Sequence, residues 1–207
     1  MAPIETKQKI LDASLQLFNE NGIINVRLQQ IADETGISVG NLAYHYNNKE
    51  AITESLITNV ISLLRELLKD YGKYNSLRDI DFFFKEYYDI SNQYKFFIFD
   101  ILEIKRNFPV QYETVQPIIN KIRLQVERRI ELCIQLKLIQ KEANAKSMAS
   151  NIMLLMFFMH EEGQLNGKAT LTANQYRRRL WDFIHPYFTT MGNAYYTNEI
   201  EPELVGK

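Results

Sequence analysis

Residues 28–52 read LQQIADETGISVGNLAYHYNNKEAI, and the spacing of residue types in this stretch decides the fold. It predicts a helix, a tight turn, a second short helix and the start of a third. Leu28, Ile31, Ile37 and Leu42 are apolar and point inward. Ala32 supplies the small side chain that two closely crossing helices require. Gly36 ends the first of these helices in the left-handed region, where other residues are strained. Ser38 then caps the next helix, its oxygen accepting a backbone N–H at Gly40 or Asn41. Such a helix-turn-helix places its second helix in the major groove of DNA.

Outward from this stretch the pattern stays helical. Ile10, Leu11, Ser14, Leu17 and Phe18 predict a first helix from Thr6 to Glu20, stopped by Asn21-Gly22. The second helix covers Leu28 to Thr35, and the reading helix Val39 to Tyr46. A fourth, capped by Asn47 or Asn48, carries Ile52, Leu56, Val60, Leu63, Leu64 and Leu67 on one side and closes at Gly72. Aromatic residues crowd positions 82–112, predicting helices near 77–91 and 94–106. Pro109 starts another element, and Pro117 kinks it or marks a second start. Ile118, Ile122, Val126, Ile130 and Ile134 continue as a long helix to Leu136. Residues 192–207, with Gly192, Pro202 and Gly206, read as a loosely ordered tail. The expected architecture is all-α with about nine helices. Residues 1–48 form a three-helix reader, residues 49–191 a larger helical domain, and residues 192–207 the tail.

Composition narrows the class. The 207 residues are 46% hydrophobic and 24% charged, with eight Gly and five Pro, which suits a globular helical chain. The single cysteine, Cys133, excludes an internal disulfide and falls in a helical apolar pattern that predicts burial. The first 25 residues lack the apolar centre of a signal peptide, and the longest apolar run, Ile152 to Met159, is too short to span a bilayer. A cytoplasmic protein with no membrane partner is expected. Net charge is −1, and residues 1–48 set Lys7, Lys9 and Arg27 against Glu5, Asp12, Glu20, Asp33 and Glu34. Nonspecific DNA binding rests on phosphate neutralisation and should be weak here. A specific reader can instead use uncharged donors and helix N-termini.

The run Ile31-Ala32, Gly36-Ile37-Ser38, Gly40, Leu42, Tyr44-His45-Tyr46 and Lys49-Glu50 resembles the TetR family of bacterial transcription regulators, over about Lys7 to Leu56. The resemblance implies a double-stranded DNA operator as partner, a helical ligand-binding and dimerisation domain after the reader, and most often repression. The chain departs from the family at Ala43, where Tyr is frequent, and at Val39, where a basic residue is frequent. Both positions commonly touch phosphate in the family.

Leu42 is needed inside the reading helix, which leaves Val39, Gly40, Asn41, Ala43 and Tyr44 towards the groove. Gly40 removes bulk at the approach to DNA. Asn41 either pairs with the edge of adenine or is a third-position residue that helps the Ser38 cap. Val39 and Ala43 suit thymine methyl groups. Tyr44 offers its hydroxyl to a phosphate or packs as a satellite ring. His45 resembles the family's backbone-contacting His or Tyr, and equally suits a bridge between the third and fourth helices. Lys49 stands at a helix N-terminus, unfavourable for a cation by dipole alone, which a phosphate would reconcile. Arg27, at the start of the second helix, reaches for the DNA backbone or lies in solvent.

Phe83, Tyr87, Phe97, Glu103, Tyr112, Met156 and Phe157 are the candidates for holding a small apolar or aromatic ligand, against plain core packing. Residues 152–159, IMLLMFFM, are apolar all round a helix and demand cover on every face. With the stripe of Leu180, Ile184, Tyr187 and Phe188 they predict a four-helix dimer interface centred on Ile152, Leu155 and Met159. A homodimer would present two readers to a palindromic site. No metal or cofactor is expected. His160, Glu161 and Glu162 are adjacent and spread round a helix, His185 has no sequence-local partner, and no catalytic fingerprint appears, so no enzyme is read here. The alternative to a regulator is a helical interaction protein that has lost DNA reading.

Overall fold

The computed structural model describes residues 3–69, 76–165 and 171–205, with backbone only at residues 3 and 160–165. The local signals near the N-terminus act as their chemistry requires. Helices α1 (Pro3–Asn21), α2 (Leu28–Thr35) and α3 (Val39–His45) form in sequence. Gly36 closes α2 at φ 68°, its N–H bonding back to the Asp33 carbonyl. Ser38 Oγ accepts the Asn41 N–H at 3.1 Å and so starts α3. Ile31, Ala32 and Leu42 are fully buried, as their positions demand. The start of α2 is held reciprocally, because the Arg27 N–H donates to Gln30 Oε1 and the Gln30 N–H donates to the Arg27 carbonyl.

Nine further helices follow among the described residues: α4 (Lys49–Leu67), α5 (Leu77–Gln93), α6 (Lys95–Phe99), α7 (Ile101–Asn107), α8 (Pro109–Gln135), α9 (Ala145–Leu165), α10 (Ala173–Ile184), α11 (Thr190–Glu199) and α12 (Glu201–Val205). Twelve α-helices therefore replace the nine expected. The segment read as one helix near 94–106 breaks at Asp100 into α6 and α7. Helix α8 runs through Pro117 without ending there. The loose tail is corrected as well. Residues 190–205 form α11 and α12, with Gly192, Tyr196, Ile200 and Leu204 buried. Gly192 lies so close to the neighbouring backbone that an added Cβ would stand 1.9 Å from the Leu138 carbonyl oxygen. The closing residue expected for α4, Gly72, lies outside the described residues. On α4, Ile52, Leu56, Val60, Leu64 and Leu67 are buried as expected, whereas Leu63 is exposed.

Contacts divide the chain into two units, residues 1–63 with 93–116 and residues 64–92 with 117–207. The unit holding the reader thus extends past residue 48 and includes α6 and α7. Its core joins Ile10, Phe18, Ile31, Leu42, Ile52 and Phe96, with Phe18 edge-on to Phe96 at 5.8 Å between ring centres. The second unit packs α5, the later turns of α8, α9 and α10 around Phe83, Phe84, Ile130, Met156, Tyr176 and Trp181. Cys133 is buried there, which pushes its thiol up to about 12.

That core also contains charge. Arg129 Nε lies 2.9 Å from Asp79 Oδ2, and both side chains are almost wholly buried. The Arg129 guanidinium stacks over the Phe83 ring at 4.6 Å. Arg177 grips Asp81 with two nitrogens, Nε at 3.0 Å from Oδ1 and a terminal nitrogen on Oδ2. Trp181 Nε1 donates to the same Asp81 Oδ1 at 2.9 Å. Two buried carboxylates are thereby met by two guanidinium groups, the arrangement that low dielectric requires.

Candidate nucleic-acid interface

With Leu42 turned inward, the seven-residue α3 exposes Gly40, Asn41 and Tyr44 and half-exposes Val39, Ala43 and His45. The two roles weighed for Asn41 prove compatible. Its backbone N–H completes the Ser38 cap, while its side chain stands in solvent, able to donate and accept along an adenine edge. Tyr44 is 82% exposed, which removes the satellite-core alternative. Its ring meets His45 edge-on at 5.2 Å. His45 itself lines a groove of about 530 Å³ with Tyr46, Asn47, Ala51, Glu54 and Ser55, so it faces α4 as well as solvent. Tyr46 is buried, and its hydroxyl is raised chiefly by burial and partly restrained by a bond with Ser55. Arg27 is exposed beside the N-terminus of α2.

Lys49 requires a correction. Its ammonium does not project towards the reading face. It donates to the Ile23 carbonyl at 2.7 Å, the Val26 carbonyl at 2.8 Å and the Ile24 carbonyl at 3.4 Å. Three carbonyls at the α1–α2 turn use its three protons, and these acceptors, not a phosphate, compensate a cation at a helix N-terminus. Burial lowers its pKa, and Glu50 opposes that shift. The signal missed in the sequence was the carbonyls of Ile23, Ile24 and Val26, which lie between α1 and α2 and accept from Lys49.

The expected ligand residues do not all share a unit. Phe83, Tyr87, Met156 and Phe157 belong to the second unit, where the rings of Tyr87 and Phe157 lie 6.4 Å apart. Burial raises the Tyr87 hydroxyl strongly. Phe97, Glu103 and Tyr112 belong to the first unit. Glu103 is engaged by Arg106 and Asn107, and Lys105 covers the Tyr112 ring at 5.6 Å. The dimer stripe is corrected too. Ile152, Met159, Leu180, Ile184 and Phe188 are buried within their own chain, and Leu155 and Tyr187 are half-buried. Among the described residues of α9, the large apolar side chains left exposed are Leu154 at 58% and Phe158 at 59%.

The side chains of His160, Glu161 and Glu162 lie outside the described residues. Among the described residues no group of three His, Cys, Asp or Glu side chains gathers as a metal site, and no helix is long and apolar enough to cross a membrane.

Residues 10–56 match the model of the bacterial regulatory proteins of the tetR family. The biofilm operon icaADBC negative transcriptional regulator IcaR of Staphylococcus epidermidis is 31% identical over 90 residues, 42% of this chain and 49% of that protein. The transcriptional regulator RutR of Escherichia coli K12 is 34% identical over 65 residues, 31% of either chain. The matches span about half or less of these relatives' own length. Among solved structures, a TetR-family regulator from Marinobacter aquaeolei VT8 superposes with a TM-score of 0.76 at 23% identity, covering 89% of this chain and 91% of that one. CprB, a TetR-family protein from S. coelicolor A3(2), gives 0.75 at 16% identity, covering 99% and 98%. At these identities the structures establish a shared fold along most of the chain. The family match itself lies in the reader, residues 10–56, which is similar to the bacterial regulatory proteins of the tetR family.

Proposed function

We infer that this chain is a sequence-specific DNA-binding regulator of transcription, acting as a homodimeric, ligand-responsive repressor on a palindromic operator in the cytoplasm. One observation carries the reading. The capped α3 buries Leu42 and leaves Gly40, Asn41 and Tyr44 exposed with Val39 and Ala43 half-exposed, an edge that combines small side chains with the polar groups of Asn41 and Tyr44 where a helix must approach base pairs. IcaR, which resembles this chain over the reader, is a negative transcriptional regulator. Selection of bound duplexes from random DNA at low salt tests it. An enriched motif with two-fold symmetry is expected. Binding without any enriched motif would favour a helical interaction protein instead.

Dimerisation through α9 and α10 accounts for the exposed Leu154 and Phe158 and would also cover the half-buried Leu155, Phe183 and Tyr187. Light scattering at micromolar concentration should give twice the chain mass. Leu154→Glu with Phe158→Glu should give the monomer. Phe83, Tyr87, Met156 and Phe157 of the second unit are the candidates for holding a small apolar or aromatic ligand. Because α4 carries residues of both units, a ligand there can alter the presentation of the reader. A hundredfold loss of operator affinity needs only about 2.7 kcal/mol of coupling. Operator DNA must then weaken the ligand by the same factor, which paired titrations measure.

A further inference from the structure

Both polar groups of one buried residue, Ile23, are held by charged side chains from two different elements. Its N–H donates to Asp100 Oδ2 at 2.8 Å, and its carbonyl accepts from Lys49 Nζ at 2.7 Å. Asp100 sits where α6 ends and α7 begins, whereas Lys49 opens α4. The preceding Gly22 has φ +77°, and a Cβ there would stand 3.5 Å from each carboxylate oxygen of Asp100. The contact continues along α1. Asn19 accepts the Phe96 N–H at 3.0 Å and donates to the Gln93 carbonyl at 2.9 Å. On the other side Lys49 also holds the Val26 carbonyl, one residue before Arg27, the N-cap of α2.

The geometry assigns Lys49 and Asp100 as positioning residues for DNA reading: they grip the α1–α2 turn from opposite polar sides of Ile23, fix where α2 and Arg27 begin, and tie that position to the α6–α7 junction. Neither residue touches DNA in this assignment. Charge-assisted bonds suit the task, being shorter and stronger than neutral ones. The turn has few alternatives of its own, since the carbonyls of Ile23 and Val26 have Lys49 as their side-chain donor. The consequence for operator affinity rests on the regulator reading; the grip on the turn does not.

The test uses the full chain and the duplex most enriched from random DNA. Lys49→Met and Asp100→Ala should each weaken that duplex roughly tenfold, as expected for loss of a charged hydrogen bond. Lys49→Met should leave the slope of log affinity against log salt at its parent value. A phosphate-contacting lysine would instead make the slope shallower by about 0.9. The double variant should lose less than the product of the two single losses, because both side chains hold the same turn. Asp100→Asn keeps a carbonyl acceptor and should recover most of the Asp100→Ala loss. Native-state amide exchange supplies a readout without DNA, in which Asp100→Ala should speed exchange at Ile23. A shallower salt slope in Lys49→Met, multiplicative losses, or an unchanged Ile23 amide would each overturn the assignment. Should Lys49→Met or Asp100→Ala fail to fold, Lys49→Gln and Asp100→Ser, which also shorten or remove the grip, carry the same measurements. If selection enriches no duplex, the regulator reading fails, while exchange at Ile23 still decides the grip.

Discussion

The two units employ charge in opposite ways. The first keeps it at the rim, and the charged groups that do reach inward, Lys49 and Asp100, bind backbone at the α1–α2 turn. The second buries whole ion pairs, Asp79 with Arg129 and Asp81 with Arg177, between helices distant in sequence. The difference teaches what each unit must specify. A reader needs a small surface in one fixed orientation, so its charges fasten a turn and leave uncharged donors facing outward. A helical core built largely from interchangeable apolar residues gains little register from packing alone. Buried pairs between α5, α8 and α10 penalise any register that leaves a charge unmet.

The largest effect should come from breaking that contrast in the second unit. Arg177→Met leaves the Asp81 carboxylate buried without its guanidinium partner, though still bonded by Trp181, and should cost about 3–5 kcal/mol. Equilibrium unfolding in urea, followed by Trp181 fluorescence, would report it. Adding Asp81→Asn, which keeps an acceptor for Trp181, should recover much of the loss. If the single variant were as stable as the parent, the pairs would not be organising this core. Gly192→Ala is next, because its Cβ has no room beside the Leu138 carbonyl. Moving α11 to make room should cost about 1–3 kcal/mol. No change in the unfolding midpoint would mean that α11 is not held where the structure has it.

In the first unit the corresponding changes should alter recognition before stability. Asn41→Ala removes an exposed side chain but leaves the backbone N–H on Ser38. It should cost about 1–3 kcal/mol of operator binding and relax preference at one base pair per half-site. The unfolding midpoint should not move. Ser38→Ala should do the reverse in kind, costing about 1 kcal/mol of stability through the lost cap. Circular dichroism melts and duplex titrations on both variants separate the two roles. An Asn41→Ala variant with unaltered base preference would remove that side chain from base reading.

The same contrast explains which features could be read in advance. Gly36, Ser38, Ala32 and Leu42 obey constraints that act within a few residues, so their offsets alone announce a turn, a cap and two packed helices. The long apolar periodicities of α4 and α8 were equally plain. The Asp81–Arg177 contact spans 96 positions, and nothing local distinguishes Asp81 from an exposed carboxylate on the same helix such as Asp89. The role of Lys49 was hidden because its partners are backbone carbonyls, which every sequence contains. The apolar run of α9 does not by itself tell which of its residues its own chain covers. Ile152 and Met159 face their own core, and Leu154 and Phe158 are left outside. Composition at 192–207 misled because Gly192, read as a loosener, is there for a close backbone approach.

The smallest expected effect concerns Asp100, whose carboxylate meets a backbone N–H where Asp79 and Asp81 meet guanidinium groups. Burial, the largest influence, raises its pKa above the ordinary 3.8; the Ile23 N–H lowers it, and Glu103 adds to the rise. With the net shift upward, the folded first unit holds this proton more tightly than the unfolded chain does. The stability so contributed is fully present below 3.8 and is lost as pH rises through the elevated folded value. Asp100→Asn does not titrate. The stability of the parent minus that of Asp100→Asn should therefore fall as pH rises from below 3.8 and then level off. Urea unfolding of both proteins across that range measures the difference directly. A difference that instead grows with pH would show that the bond from the Ile23 N–H to the ionised carboxylate outweighs burial. Asp100 would then resemble the guanidinium-paired carboxylates of the second unit, and the contrast between the units would rest on Lys49 alone.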